Sequence, residues 1–251
     1  MIGTVYLVGA GPGSPDLLTV RAARLLAAAD IVFHDALVNP EIVALAAGAE
    51  KVAVGKRCAK HSTAQAFINK RLIDAARKHR TVVRLKGGDP MLFGRAQEEL
   101  DALRAAGVPC EVVPGITAAL AAAADLKTSL TRRGVSRNVV FATPRVGEGE
   151  PSSEWAAPLA HADTAALYMG AGQADAIAQT LLAQGRSPRT PVVAIENASL
   201  PTSRTVGLTL ANLPALAERE FAGPVLLLVG EVFGAATALE GSRSAERRAS
   251  R

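Results

Sequence analysis

The sequence predicts an α/β protein with two domains, the first built on a mainly parallel sheet. In the first half, about five short β-branched runs alternate with helical patterns, as in consecutive βαβ units. Most of these runs end in turns rich in glycine and proline. The chain has 251 residues, 49% of them hydrophobic, which is enough for two ordinary cores. We predict domains at 1–115 and 116–236, and a polar, charged, disordered tail at 237–251.

Composition excludes several classes of protein. No apolar run approaches the roughly 20 residues of a membrane span. Residues 1–13 lack the basic start and long apolar core of a signal peptide. The two cysteines, Cys58 and Cys110, lack metal-ligand spacing and suggest a reducing compartment. We therefore expect a cytoplasmic protein with no membrane partner and no metal site.

Positive charge is concentrated in one segment. The chain carries a net charge of +5, but residues 51–95 alone contain twelve Lys/Arg and two Asp/Glu, a net of +10. A solvated basic face is one interpretation, and a nucleic-acid site is another. No aromatic residues interleave these cations in the way that base stacking requires. A small polyanion is therefore at least as good a partner.

The central feature of the chain is the stretch from Val82 to Arg95. It begins as a buried strand, breaks at Gly87-Gly88-Asp89-Pro90, and continues as a helix from Ala96. A strand, an open turn and a helix in this order place ligands beyond the carboxyl ends of parallel strands. Because Lys86 and Arg95 flank the turn, we interpret it as a ligand-binding turn rather than a plain connection.

The first strand, Thr4–Val8, leads into a second glycine-rich loop, Gly9–Ser14. A dinucleotide-binding motif, G-x-G-x-x-G, needs glycine where Ser14 stands, and Pro12 lacks the N–H group that a phosphate would use. The sequence therefore disfavours a nicotinamide cofactor. Asp35 follows the second strand, at the edge of the sheet where a ligand would lie.

Three further segments complete the predicted first domain. A short cationic loop runs from Gly55 to His61, and Ser62 with Gln65 forms a capping-box pattern that predicts the start of a helix. Pro114-Gly115-Ile116 opens an alanine-rich helix whose N-terminus has room for a ligand.

The second half also alternates strands with helical patterns. A helix is predicted at Asp175–Ala183, and Thr205–Gly207 is predicted as an edge strand. The strands expected in this half are Val139–Ala142, Ala165–Met169, Pro191–Ile195, Thr205–Gly207 and Val225–Val229.

Together these motifs resemble one family, the tetrapyrrole methylases, across roughly residues 3–232. The motifs are V-G-A-G-P-G at 8–13, V-G-K-R at 54–57, V-R-L-K-G-G-D-P-x-x-F-G-R at 83–95, V-P-G-I-T-A-A at 113–119 and Y-M-G at 168–170. The most similar members are those that methylate uroporphyrinogen III on carbon. The resemblance implies two α/β domains with S-adenosylmethionine in the cleft between them, a tetrapyrrole substrate and a homodimer.

The resemblance also implies roles for individual residues. Asp35 matches a proton acceptor and Lys56 a proton donor. Arg57, Arg95 and Arg132 are candidates for binding the eight carboxylates of the substrate, with Lys60 as a weaker one. The cofactor-binding residues that it implies are Pro12, Gly87, Gly88, Asp89, Leu92, Thr117, Ala118, Met169 and Ala198.

Three positions depart from the family pattern. Arg132 and Arg145 stand where histidine is frequent, near the substrate, and Ala198 stands where glycine is frequent. Two other functions remain open at this point. One is methylation of a different corrin-type acceptor on the same fold. The other is a nucleotide- or RNA-binding module that uses the basic segment.

Overall fold

The structure, a computed structural model, describes residues 2–54, 61–147 and 153–237, with the backbone alone at 61–64. The chain divides into two compact units, Met1–Ala118 and Ala119–Arg251, here called unit 1 and unit 2. Lys56, Arg57 and Lys60 lie outside the described residues, as does the predicted tail beyond residue 237.

Unit 1 is a parallel five-stranded sheet with helices between its strands. Its strands are β1 (Thr4–Gly9), β2 (Ile31–His34), β3 (Glu50–Ala53), β4 (Thr81–Lys86) and β5 (Cys110–Val113). Its helices are α1 (Val20–Ala27), α2 (Pro40–Ala44), α3 (His61–Ala76) and α4 (Ala96–Ala105). The strand order is β3-β2-β4-β1-β5, and every pair is parallel. This confirms the predicted parallel sheet.

Successive side chains along the strands of unit 1 point to opposite faces of the sheet, and both faces are buried. Val5 and Leu7 of β1 belong to a core cluster that also contains Leu72 of α3 and Leu103 of α4. Val8 belongs to a second cluster with residues of α1 and α2. Helices therefore cover both faces, and the loops at the carboxyl ends of the strands are left for a site.

Local signals fix the starts of the early helices. The hydroxyl of Thr19 accepts a hydrogen bond from the backbone N–H of Ala22 at 3.1 Å and so caps α1. The side chain of Asn39 caps α2 in the same way, by accepting from the N–H of Glu41 at 3.0 Å. Pro40 then occupies the first turn, where its missing N–H costs nothing.

The capping box predicted at Ser62 depends on a side chain that lies outside the described residues. Helix α3 already begins at His61. The Gln65 amide donates to Asn69 Oδ1 at 3.0 Å and to Glu99 Oε1 at 3.2 Å. The polar side chain that suggested a cap is used in a buried contact with α4.

Unit 2 is a mixed five-stranded sheet of order β6-β7-β10-β8-β9, in which only β6 and β7 are parallel. Its strands are β6 (Val139–Ala142), β7 (Thr164–Tyr168), β8 (Pro191–Glu196), β9 (Arg204–Thr209) and β10 (Val225–Gly230). Its helices are α5 (Ala118–Asp125), which starts on the last residue of unit 1, α6 (Ala156–Ala160) and α7 (Ala174–Ala183). The predicted edge strand is confirmed as β9.

Strand directions bring several loops of unit 2 to one edge of its sheet. Strand β10 begins where β7 and β8 end, since Leu226 is opposite Tyr168 and Val225 is opposite Glu196. Strand β9 begins at the same edge, with Arg204 opposite Glu196. The segments after β6, β7 and β8 therefore lie together with the segment before β10.

Among the described residues, no helix combines the length and the apolar character needed to cross a bilayer.

Candidate functional site

The glycine-rich loops after β1 and β4 are bonded to each other. Gly88 donates its N–H to the carbonyl of Gly11 at 2.7 Å, and Gly11 donates to the carbonyl of Gly88 at 3.1 Å. Both residues have positive φ, +72° at Gly11 and +66° at Gly88, a conformation that glycine adopts without steric cost. The two loops thus form a rigid backbone platform at the carboxyl edge of the sheet.

Close packing also excludes side chains where β1 meets the loop after β5. A Cβ on Gly9 would lie 2.6 Å from the backbone of Gly115, and one on Gly115 would lie 2.3 Å from the carbonyl oxygen of Gly88. Gly87, by contrast, is exposed, and a Cβ there would meet only Leu37, at 3.7 Å. Open space for a ligand therefore lies above Gly87.

Asp89 braces this platform. Its Oδ2 accepts a hydrogen bond from the N–H of Gly115 at 2.9 Å, and its Oδ1 accepts from the N–H of Met91 at 2.8 Å. One carboxylate therefore holds the turn after β4 against the loop after β5. Asp89 was predicted as a cofactor contact from the resemblance, and the structure shows this additional bracing role.

Asp35 lies at the same edge, immediately after β2, and is partly exposed. Its Oδ1 accepts a hydrogen bond from Arg84 Nη2 at 2.6 Å, while the Arg84 side chain is only 2% exposed. Within the described parts of the chain, Asp35 Oδ2 has no partner. One oxygen is thus fixed by a buried cation, and the other is available to a ligand.

Arg84 is itself anchored by Glu99 of α4, which is completely buried. Glu99 Oε1 accepts hydrogen bonds from Arg84 Nε at 3.1 Å, from Lys86 Nζ at 3.1 Å and from Gln65 Nε2 at 3.2 Å. Glu99 Oε2 is also buried, and no described residue donates a hydrogen bond to it. We call Gln65, Arg84, Lys86 and Glu99 the buried polar cluster; it connects Asp35 to the body of unit 1.

Burial and charge shift the two cations of this cluster in opposite directions. Burial lowers the pKa of Lys86 and the nearby Arg84 charge lowers it further, against the opposing effect of Glu99. Burial also lowers the pKa of Arg84, but the carboxylates of Glu99 and Asp35 outweigh it, and the net pKa is raised. Arg84 is therefore the permanently charged member of the cluster.

The buried polar cluster was not predicted from the sequence. Lys86 flanks the ligand-binding turn as expected, but only 4% of it is exposed. A usable signal was present, because residues 84 and 86 of one strand point to the same face. Two cations on a buried face require a buried counter-charge.

The basic segment at 51–95 is not a single cationic face. Arg84 and Lys86 are buried against Glu99, while Lys70 and Arg77 both form ion pairs with Asp74 of α3. Arg84 and Lys86 are therefore not available to a polyanion, and recognition of a polyanion by other cations of this segment stays a prediction.

The remaining predicted cofactor residues occupy loops at the strand ends of both units. In unit 1, Pro12, Leu92 and Ala118 are half-buried, and Thr117 is buried. In unit 2, Met169 follows β7 with a positive φ of +57° and is 44% exposed. A bulky residue in this strained conformation is uncommon away from functional sites.

Ala198, the last predicted cofactor residue, lies on a firmly held turn after β8. Glu196 Oε1 accepts from the N–H of Gly223 at 2.7 Å, and its Oε2 accepts from Arg204 at 2.6 Å. On the other side, Asp125 accepts a hydrogen bond from the N–H of Ser199 at 2.7 Å. These bonds fix the backbone on both sides of Ala198.

Two of the predicted substrate-binding arginines are described. Arg95 is half-exposed and donates to both carboxylate oxygens of Glu98, at 2.6 and 2.7 Å. Arg132 is exposed on a tight turn closed by two backbone hydrogen bonds with Ser136. Arg57 and the predicted proton donor, Lys56, lie in the segment that the structure does not describe.

No described group of three or more His, Cys, Asp or Glu residues is arranged to hold a metal ion.

Comparison with known proteins identifies the family. The sequence model of the Tetrapyrrole (Corrin/Porphyrin) Methylases matches residues 4–214. A siroheme synthase from Azotobacter vinelandii is 48% identical over 233 residues, which is 92% of this chain and 50% of that protein. The chain spans about half the length of the curated relatives that it matches.

Solved structures agree. The native uroporphyrin III C-methyl transferase of Thermus thermophilus is 42% identical, with a TM-score of 0.80, over 92% of this chain and 93% of that one. That enzyme complexed with S-adenyl homocysteine is 43% identical, with a TM-score of 0.79, over 92% and 98% of the two chains. By sequence and by fold, this chain belongs to the tetrapyrrole (corrin/porphyrin) methylases.

Proposed function

We propose that the chain is an S-adenosylmethionine-dependent C-methyltransferase. It converts uroporphyrinogen III to precorrin-2 by methylation at C2 and C7, for sirohaem or cobalamin biosynthesis. Similarity to the T. thermophilus enzyme over nearly the whole of both chains supports this assignment. The observation that carries it is the edge of unit 1, where a glycine platform and a partly exposed carboxylate lie together.

The strand-end loops fit the proposed cofactor. The exposed backbone of Gly87 and the positive φ of Gly88 let a flat or charged ligand approach without meeting a side chain. Pro12, Asp89, Leu92, Thr117 and Ala118 complete the proposed set in unit 1. Met169 and Ala198 of unit 2 are included on the resemblance alone.

Bound S-adenosylmethionine supplies an electrophilic methyl group on its sulfonium. The protein's task is to align the pyrrole carbon with that methyl and to exclude water, because orientation is the main source of acceleration in such a displacement. The platform formed by Gly11, Gly88 and Asp89 suits this task, since hydrogen bonds within the protein fix its loops to each other.

The methylated ring must then lose a proton. We propose Asp35 as the acceptor, through the oxygen that Arg84 does not occupy. An alternative role for the same oxygen is to hold a pyrrole N–H. Lys56 is retained as the proton donor on the resemblance alone.

Arg57, Arg95 and Arg132 are proposed to bind the carboxylates of the substrate. Arg95 already binds a carboxylate with two parallel hydrogen bonds, and this is the geometry with which guanidinium groups recognise acids. Substrate binding through Arg95 would exchange Glu98 for a carboxylate of the tetrapyrrole.

We further propose a cytoplasmic homodimer without a nucleic-acid or membrane partner. The cysteine usage supports a reducing compartment, and the dimer rests on the resemblance. The dispersed cations of the basic segment argue against an RNA-binding surface.

Equilibrium binding tests the assignment without requiring turnover. Calorimetry should show that the full chain binds S-adenosylhomocysteine, and titration with uroporphyrin III, the stable oxidised form, should show binding that weakens with salt. Protein that binds RNA but neither of these ligands would contradict the proposal.

A further inference from the structure

Unit 2 contains a cavity of about 900 Å³ whose wall includes Met169, one of the proposed cofactor residues. It lies at the sheet edge where β7 ends and β10 begins. Met169, Phe221 and Val225 contribute apolar surface to its wall. Two arginines also line it, Arg145 after β6 and Arg219 before β10. The cavity thus offers apolar and cationic surface to the same occupant.

Both arginines are exposed on the wall of the cavity. Within the parts of the chain that the structure describes, neither guanidinium forms an ion pair or a hydrogen bond. The one acidic residue on the wall, Asp175, accepts a hydrogen bond from Gln179 of its own helix at 2.8 Å. Surface arginines of this protein differ in this respect: Arg95 is paired with Glu98 and Arg104 with Asp101, whereas Arg189 forms no ion pair within the described residues.

The start of helix α7 adds to this positive potential. Its first residues line the cavity, and the side chain of its N-cap residue, Gln173, makes no capping bond. A helix N-terminus carries partial positive charge that favours an anion. This effect reinforces the two arginines and is not needed for the inference.

We propose that Arg145 and Arg219 form a carboxylate-binding site for a ligand whose apolar part lies against Met169 and Phe221. Two sources of the carboxylate are compatible with the proposed function, on which this inference rests. One is an acid side chain of the tetrapyrrole, and the other is the amino-acid end of the cofactor. Neither the motifs nor the resemblance assigned a role to Arg219.

The test compares Arg145→Gln and Arg219→Gln with wild-type protein, using S-adenosylhomocysteine and uroporphyrin III as probes. Each change should weaken the binding of one probe about three- to tenfold, since a partly exposed charge-assisted contact is lost. The weakening should shrink at high salt. A loss confined to S-adenosylhomocysteine identifies the cofactor carboxylate, and a loss confined to uroporphyrin identifies the tetrapyrrole.

Arg189→Gln is the matched control. Arg189 is also exposed in unit 2, but it precedes β8 and so lies at the opposite edge of the sheet. Both probes should bind this variant as they bind wild type. If wild type binds the probes and both cavity variants bind them equally well, this inference is overturned and the proposed function stands. Wild-type protein that binds neither probe overturns both.

Discussion

Removing the charge of Glu99 should destabilise unit 1 severely. In Glu99→Gln, Arg84 and Lys86 stay buried but lose their shared carboxylate. Breaking a buried ion pair by removing one partner typically costs about 3–5 kcal/mol. Arg84 keeps its bond to Asp35, so we expect a loss near 3 kcal/mol. At about 2–4 °C per kcal/mol for a chain of this size, the melting temperature should fall by roughly 6–12 °C.

The assay is denaturant unfolding followed by circular dichroism and by the fluorescence of the single tryptophan, Trp155. Because Trp155 lies in unit 2, fluorescence separates unfolding of that unit from the loss expected in unit 1. Glu98→Gln is the matched control, since Glu98 is the preceding residue and its ion pair with Arg95 is solvent-exposed. Exposed pairs contribute about 0–1 kcal/mol.

A double variant tests whether Lys86 and Glu99 stabilise each other. In Lys86→Met/Glu99→Gln the carboxylate and one of its two cations are removed together, so the double change should cost less than the sum of the single changes. Strict additivity, or a Glu99→Gln loss no larger than that of Glu98→Gln, would refute the account of the buried polar cluster.

Three further predictions concern pH, cofactor and turnover. The folded-state pKa of Lys86 lies below its ordinary 10.5, so the contribution of Lys86 to stability should rise as the pH increases toward 10.5. Burial raises the pKa of Cys110 from 9.0 to about 11, so the contribution of Cys110 to stability should be lost as the pH rises from 9.0 to about 11. The unfolding free energy of each variant, Lys86→Met and Cys110→Ala, is measured from pH 9 to 11. The difference between wild type and variant should grow with pH for Lys86→Met and shrink for Cys110→Ala. A difference that does not change with pH would contradict the prediction for that residue. Gly88→Val should weaken the binding of S-adenosylhomocysteine at least about tenfold, as measured by calorimetry. Gly107→Val is the control: Gly107 has almost the same φ (+67° against +66°), so this variant should suffer the same backbone strain but keep its affinity for S-adenosylhomocysteine. Asp35→Asn should cut turnover by roughly 10²–10⁴ if Asp35 is the base, or mainly raise the substrate KM if it anchors a pyrrole; turnover within about threefold of wild type would remove it from catalysis.

The strand framework could be read from local sequence because each strand carries its own signal. The β-branched run at 82–85 lies within β4, and the run at 139–142 coincides with β6. Alternation and flanking glycines are short-range features, and they survive in any tertiary context.

The partners of polar side chains could not be read in this way. Lys86 looked like a rim cation because its acid, Glu99, lies on the next helix, where it has the appearance of an ordinary surface residue. Gln65 looked like a cap because the pattern S-x-x-Q is local, but its amide bonds across to α4. Each case involves a contact that only the packing of helices on the sheet creates.

The proposed methyl transfer to uroporphyrinogen III can be measured directly. The purified chain is incubated anaerobically with S-adenosylmethionine and uroporphyrinogen III, and the tetrapyrrole product is analysed by mass spectrometry. Asp35→Asn serves as the matched control. We predict a product carrying two added methyl groups, formed by wild-type protein and strongly reduced in the variant. Unchanged uroporphyrinogen III after incubation with protein shown to bind S-adenosylhomocysteine would contradict the account.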